Sequence, residues 1–288
     1  MKILLTGAAG QLGRELKRSL ACIGDVVACD RRQLDLADAD ALCATVRTTA
    51  PTVIVNAAAY TAVDKAEAEP AAADAINAVA PGILAEEAKR LGALLIHYST
   101  DYVFDGTKAT AYTEDDSPAP LSAYGRSKLA GELAIAASGA RHLIFRTSWV
   151  YGLHGANFMK TMLRLGRERD ELRVVDDQIG APTWTRHLAD VTALVLARKE
   201  TPDGLYHLAA AGETSWHGYA EAIFAEAERN GLIAKSPVVH RIASADYPLP
   251  AARPANSRLD CARFRRDFNL SLPDWRIGLA DCLADARF

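Results

Sequence analysis

"KILLTGAAGQLGREL", residues 2–16, runs from an apolar stretch through three glycines into a segment of helix length. Ile3, Leu4 and Leu5 are continuous rather than alternating, which is the pattern of a strand buried on both faces. Gly7, Gly10 and Gly13 then lie between that strand and the helix-length segment "GQLGRELKRSL". Small residues there let the backbone approach a pyrophosphate at the positive end of a helix. The spacing is three and three, where the usual dinucleotide fingerprint has two and three, so a plain tight turn is the competing reading. Position favours the nucleotide, because Asp30 closes the next apolar run, where an acid can accept the hydroxyls of an adenosine ribose.

Further runs of the same kind occur at "DVVACD", "TVIVNAAA", "ALLIHYS" and "HLIFRTS", separated by the helix-length segments "ADADALCATVRTTA", "AAADAINAVAPGILAEEAKRLG" and "SAYGRSKLAGELAIAAS". Repeated strand–helix order predicts an α/β fold, a Rossmann-like, doubly wound parallel sheet. Pro81 predicts a kink in the third of these helices, and Gly92 a stop. After about residue 150 the order loosens. Helices are expected near 154–170, 186–199 and 215–230, with short strands at "RVVD" and "LYHLAA" and a proline-rich "YPLPAARP". This reads as a smaller, discontinuous substrate-binding domain: residues 1–150 plus about 182–210 form the dinucleotide-binding part, and about 151–181 and 211–288 the other.

The chain has 288 residues, enough for one large or two smaller domains, and a formal net charge of -3 with its basic residues scattered. Neither a nucleic-acid groove nor attachment to an anionic membrane is suggested, and a small molecule is the default partner. Five cysteines without metal or redox spacing, no secretory leader and no long apolar run point to a cytoplasmic protein. The seven histidines show no ligand spacing.

Tyr124 and Lys128 stand four apart in "YGRSK". On a helix they share a face, and a nearby ammonium favours the phenolate, making tyrosine a usable proton donor. Ser99 and Thr100, in "HYSTDYVFDG", fall where the fourth strand ends, the edge at which doubly wound sheets bind ligands. In "CDRRQLD", Asp30 argues for NADH, whereas Arg31 and Arg32 suit the 2′-phosphate of NADPH. Asp35 and Leu36 follow as a possible adenine rim, with Asp35 equally placed to cap the next helix.

Together these features resemble the extended short-chain dehydrogenase/reductase superfamily. The wording of "VNAAAYTAVDKAE", "STDYVFDG", "YGRSKLAGE", "RTSWVYG", "NFMKTM", "DDQIGAPT" and "RPANSRL" is similar, over nearly the whole chain, to its dTDP-4-dehydrorhamnose reductase family. The resemblance implies NADPH- or NADH-dependent reduction of the C4 keto group of a dTDP-4-dehydro-6-deoxy sugar, the last step of dTDP-rhamnose biosynthesis, which serves lipopolysaccharide biosynthesis. It places Gly7, Gly10, Gln11, Leu12 and Gly13 along the cofactor pyrophosphate, with Asp30, Arg31, Asp35 and Leu36 around its adenosine half. Ala59, Tyr60, Thr61 and Tyr98 would line the cofactor channel, Tyr124 would donate the proton, and Lys128 would bind the ribose and tune the tyrosine. Thr100 would hold the sugar oxygen beside Tyr124, and Asp101 and Trp149 would touch the nucleotide-sugar.

Some family members join as dimers through magnesium held by glutamates. Glu15 matches one such position, but Arg186 and Asp285 stand where those members carry glutamates, so no metal is expected, in a monomer or in a homodimer without bridging magnesium. Dehydratases of the superfamily need an acid where Tyr102 stands. An epimerase of the same superfamily, or a non-catalytic NADP-binding regulatory subunit, are the remaining alternatives.

Overall fold

The computed structural model describes residues 1–200 and 202–286. Six parallel strands form the central sheet: β1 (Lys2–Thr6), β2 (Asp25–Cys29), β3 (Val53–Asn56), β4 (Leu94–Thr100), β5 (His142–Thr147) and β6 (Gly204–His207). Their order across the sheet is β6-β5-β4-β3-β1-β2. The sequence order reverses at β1, which lies between β2 and β3, and a ligand crevice forms outside the carboxyl ends at such a point. Register sets Thr6, Asn56 and His97 side by side across β1, β3 and β4, so a polar row crosses this part of the sheet.

Both faces are covered, which explains the continuous apolar runs. On one face Ile3, Leu5 and Phe145 pack with Leu16 of helix Gln11–Leu20 and Leu188 of helix Thr185–Leu196. On the other, Leu4, Ile54 and Leu95 pack with Leu42, Leu84 and Ile135 from helices Ala39–Thr49, Ala80–Leu91 and Ala123–Ser138. A separate core gathers Met159, Phe224, Trp184 and Trp275, drawn from helices Phe158–Glu168, Trp216–Arg229 and Trp275–Ala284 and the short strand Thr183–Trp184. Beside it, Glu171–Val175 pairs in parallel with Val238–Ile242.

Pro81 leaves the Asn77 carbonyl without the amide that a regular helix would offer it, and the chain answers with a π-turn over Ala75–Val79 just before the proline. Gly92 ends the helix with φ +65°. Asp38, rather than Asp35, caps helix Ala39–Thr49, accepting from the Ala41 amide at 2.9 Å. Asp35 instead accepts from Ala37 N within the preceding turn. Among the described residues no helix is long and apolar enough to cross a membrane, and no group of three or more His, Cys, Asp or Glu side chains could hold a metal ion.

Candidate active site

The glycine loop is tight because its neighbours leave no room for side chains. Gly7 has φ +71°, and a Cβ there would meet Ala58 N at 2.6 Å; one on Gly13 would meet the Gly7 carbonyl oxygen at 2.0 Å. Helix Gln11–Leu20 therefore starts hard against the loop, with Gly10 as an N-cap that spends no side chain on the first amides. Those amides are ready donors to an anion. An open cleft of about 490 Å³ adjoins them, lined by Ala8, Ala9, Arg14, Asp30, Gln33 and His154 among others. Gln11 is held from beyond the sheet by Asn157, whose Nδ2 donates to Gln11 Oε1 at 2.7 Å, while Leu12 packs against the core.

Asp30 sits at the end of β2, and its Oδ1 accepts from the amides of Arg32 (2.9 Å) and Gln33 (3.2 Å), which fixes the carboxylate at the cleft wall. Arg31 and Arg32 are exposed beside it, Arg31 within 3.7 Å of Asp35. Leu36 is buried in the core under this wall.

Ser99 and Thr100 close β4 and Asp101 begins the turn after it, all buried. Thr100 Oγ1 donates to Asp101 Oδ1 at 3.1 Å, while Ser99 Oγ and Asp101 Oδ2 are buried without a partner in the chain. Burial pushes the Asp101 carboxyl up to about 6, against the pull of the Ser257 and Thr100 hydroxyls. Tyr124 reaches the same point from the first turn of helix Ala123–Ser138, which Ser122 caps and Glu67 anchors by accepting from Ala123 N at 2.7 Å. Burial raises its phenol to about 12; a hydrogen bond with Thr100 opposes the rise and the Asp101 charge adds to it. Two glycines bring this helix close: a Cβ on Gly125 would meet Tyr102 O at 2.2 Å, and one on Gly131 would meet Asn77 O at 2.1 Å.

Lys128 is fully buried and its amine is engaged on β4. Its Nζ donates to Tyr98 O at 2.7 Å and lies 2.9 Å from His97 Nε2. Burial depresses its pKa to about 8, with Glu132 pulling upward. Tyr98 thus meets the site through its carbonyl, while its ring stands in the core and its hydroxyl pairs with Thr192 at 2.7 Å. After β3, Tyr60 packs beside Tyr124, and Thr61 is exposed at the rim beyond Ala59. Asn77, which the sequence reading passed over, ties these parts together: it accepts from Tyr60 N at 2.8 Å and donates to Tyr60 O and Ser127 Oγ, both at 3.0 Å. An asparagine inside a helix just before a proline was the available signal.

Trp149 has φ +47°, an uncommon conformation for a bulky residue, and lies flat on Trp216 with ring centroids 3.6 Å apart. Gly180 leaves room for the ring, since a Cβ there would meet Trp149 Cε2 at 2.6 Å. Arg253 grips Asp64 with contacts of 3.1 and 2.8 Å, fastening the segment after "YPLP" to the first turn after β3. At another surface Arg186 pairs with both Glu15 (3.3 Å) and Asp285, so a guanidinium lies between the carboxylates that the resemblance associates with magnesium. That donor set does not suit a divalent cation.

The family model described as RmlD substrate binding domain matches residues 1–288. The dTDP-4-dehydrorhamnose reductase of Burkholderia thailandensis is 50% identical over 295 residues, covering 99% of this chain and 99% of that protein. The protein of that name from Escherichia coli is 48% identical over 286 residues, covering 97% and 96%. Among solved structures, the dTDP-4-dehydrorhamnose reductase of Bacillus anthracis in complex with NADP superposes with a TM-score of 0.93 at 36% identity, covering 99% of each chain.

Proposed function

The chain belongs to the dTDP-4-dehydrorhamnose reductase family, and from that membership we propose that it reduces the C4 keto group of dTDP-4-dehydro-6-deoxy-L-mannose to give dTDP-L-rhamnose, using NADPH or NADH. The observation that carries the reading in this structure is the meeting of a proton donor with unspent polar groups at one end of the sheet. Tyr124 and Thr100 come together there, close enough for the threonine to act on the phenol, and Ser99 Oγ and Asp101 Oδ2 lie buried nearby without partners.

The residues present fit a dinucleotide. Amides at the uncapped N-terminus of helix Gln11–Leu20 would take the pyrophosphate, Asp30 the adenosine ribose and Lys128 the nicotinamide ribose, with Arg31 or Arg32 at a 2′-phosphate. The bound nicotinamide supplies the hydride. The chain's own part is to place the keto oxygen between Thr100 and Tyr124 and to neutralise the charge that develops on it by proton transfer from Tyr124 Oη. Asp101, Trp149 and the stacked Trp216 would hold the nucleotide-sugar. In this division of labour residues 1–150 with about 182–210 bind the dinucleotide, and 151–181 with 211–288 bind the sugar nucleotide. Arg253 clamps the two through Asp64.

Incubation with dTDP-4-dehydro-6-deoxy-L-mannose, in parallel with NADH and NADPH, tests the reading. Stoichiometric oxidation of the cofactor with formation of dTDP-L-rhamnose is expected. Isomerised sugar without net oxidation would mark an epimerase, and cofactor binding without turnover a regulatory subunit.

A further inference from the structure

The polar row that crosses the sheet fixes where its protons lie. Ala58 N–H can only donate, and it points at Asn56 Oδ1 from 3.2 Å; Thr6 Oγ1 donates to the same oxygen at 2.7 Å. The amide of Asn56 is thereby oriented, and its Nδ2 faces His97 Nδ1 at 3.1 Å. His97 Nδ1 must accept, so a neutral imidazole carries its proton on Nε2. That N–H faces Lys128 Nζ at 2.9 Å, all of it buried. An ammonium has no lone pair to receive it, whereas an amine does, and keeps a proton to donate to Tyr98 O. A cationic imidazole is worse, since it would turn a second donor on Asn56.

We propose that His97 is a positioning residue for Lys128: it receives the lysine as an uncharged amine in the cofactor-free protein, so that Lys128 takes up a proton from solvent as it turns to the cofactor's ribose. The inference rests on the reading of Lys128 as the ribose ligand. The other groups facing Lys128 agree with it. Its own helix presents Tyr124 and Glu132, and Glu132 is already engaged by Arg146 of β5 at 2.9 and 2.6 Å. Asp101 follows β4, and Asn56 at the end of β3, which meets His97 on its other side, is neutral. Burial lowers both the lysine, to about 8, and His97, which keeps the imidazole neutral. Above about pH 8 the effect would be to couple acidification of Tyr124 to an occupied cofactor site, because the lysine is there mostly an amine until it turns to the ribose.

The test counts protons rather than turnovers. NADPH is titrated into the Tyr124→Phe protein by calorimetry at pH 8.5, in two buffers of different ionisation enthalpy, so that the phenol contributes nothing. Uptake of about half a proton or more per NADPH is expected, as linkage requires for a group near 8 that rises on binding. His97→Gln in the same background offers the lysine a carbonyl oxygen, which an ammonium can satisfy, and should cut the uptake by at least half. The apparent Kd of the parent should also weaken with rising pH above 8, and that of His97→Gln much less. Binding without proton uptake, or equal uptake in a folded His97→Gln protein, overturns the inference. Should His97→Gln not fold, the Tyr124→Phe measurement decides alone. Failure of both NADPH and NADH to bind would sink the functional reading, and this inference with it.

Discussion

Gly125→Ala is the substitution for which the structure gives the clearest magnitude. The added Cβ would lie 2.2 Å from Tyr102 O, 3.0 Å from Pro120 Cβ and 3.1 Å from Tyr102 C. Two of these three atoms are backbone, in the turn Asp101–Val103, so no side chain can swing aside. Contact at van der Waals distance requires the helix and the turn to part by about 1 Å. Tyr124 precedes the substituted residue and Asp101 begins the turn, so the gap opens between the phenol and the Thr100–Asp101 pair. A misplacement of that size costs about 10²-fold in turnover. Overpacking costs about 1–3 kcal/mol, and the gain of alanine over glycine in a helix returns up to about 1, so the Tm should fall by several degrees. Gly82→Ala is the control. It also lies in a helix, but its Cβ would meet only Ala134 Cβ at 3.3 Å, so stability and turnover should be kept. Turnover is read from oxidation of the reduced nicotinamide, and Tm from circular dichroism. If Gly125→Ala keeps more than half of the parent turnover, the close approach of helix and turn does not organise the site.

Tyr124→Phe should keep fold and cofactor affinity yet lose about 10²-fold or more in turnover, the usual worth of a general acid, as steady-state kinetics would show. Replacing Arg31 and Arg32 together by alanine should raise KM for NADPH by about 10-fold or more while sparing NADH, if either holds a 2′-phosphate; equal effects on both cofactors would mean it does not. Asp101 is raised to about 6 in the fold, so it binds its proton more tightly there than in the unfolded chain, and its contribution to stability is present below about 4 and lost as pH rises through 6. Thermal melts from pH 4 to 7 should therefore fall more for the parent than for Asp101→Asn, and parallel curves would refute that. Arg146→Met strands Glu132 in the interior and should cost about 3–5 kcal/mol in denaturant unfolding, because the pair is bidentate and both side chains are buried.

Much of the fold was legible because its determinants are local. Strands covered on both faces leave continuous apolar runs, and β1 to β5 each did so. The glycine loop and the Tyr–Lys pair were legible for the same reason, since loop and helix each fix spacing within a few residues. Asp38 displaced Asp35 as a cap because the turn after β2 closes through Asp30 and delays the helix start. What escaped depends on contacts between distant segments. Asp64 and Arg253 are 189 residues apart, and Trp216 meets Trp149 only through the packing of the second core. The row Thr6–Asn56–His97 depends on register across three strands, and none of the three runs shows by itself which of its polar residues will face another.

Lys128 shows most plainly where spacing stops informing. Four residues along a helix fix the direction of a Cβ, and the sequence reading placed the ammonium beside Tyr124 on that ground. The stem of a lysine is long enough to carry Nζ elsewhere, and burial makes the choice energetic rather than geometric. The partners that satisfy a desolvated amine here are His97 and the Tyr98 carbonyl, so Nζ goes to them, and Tyr124 keeps a phenol raised to about 12. The phenol and Thr100 are in place, but the lysine that would acidify the tyrosine is engaged further back along the same strand, at His97 and the Tyr98 carbonyl, by a histidine that local spacing does not reveal.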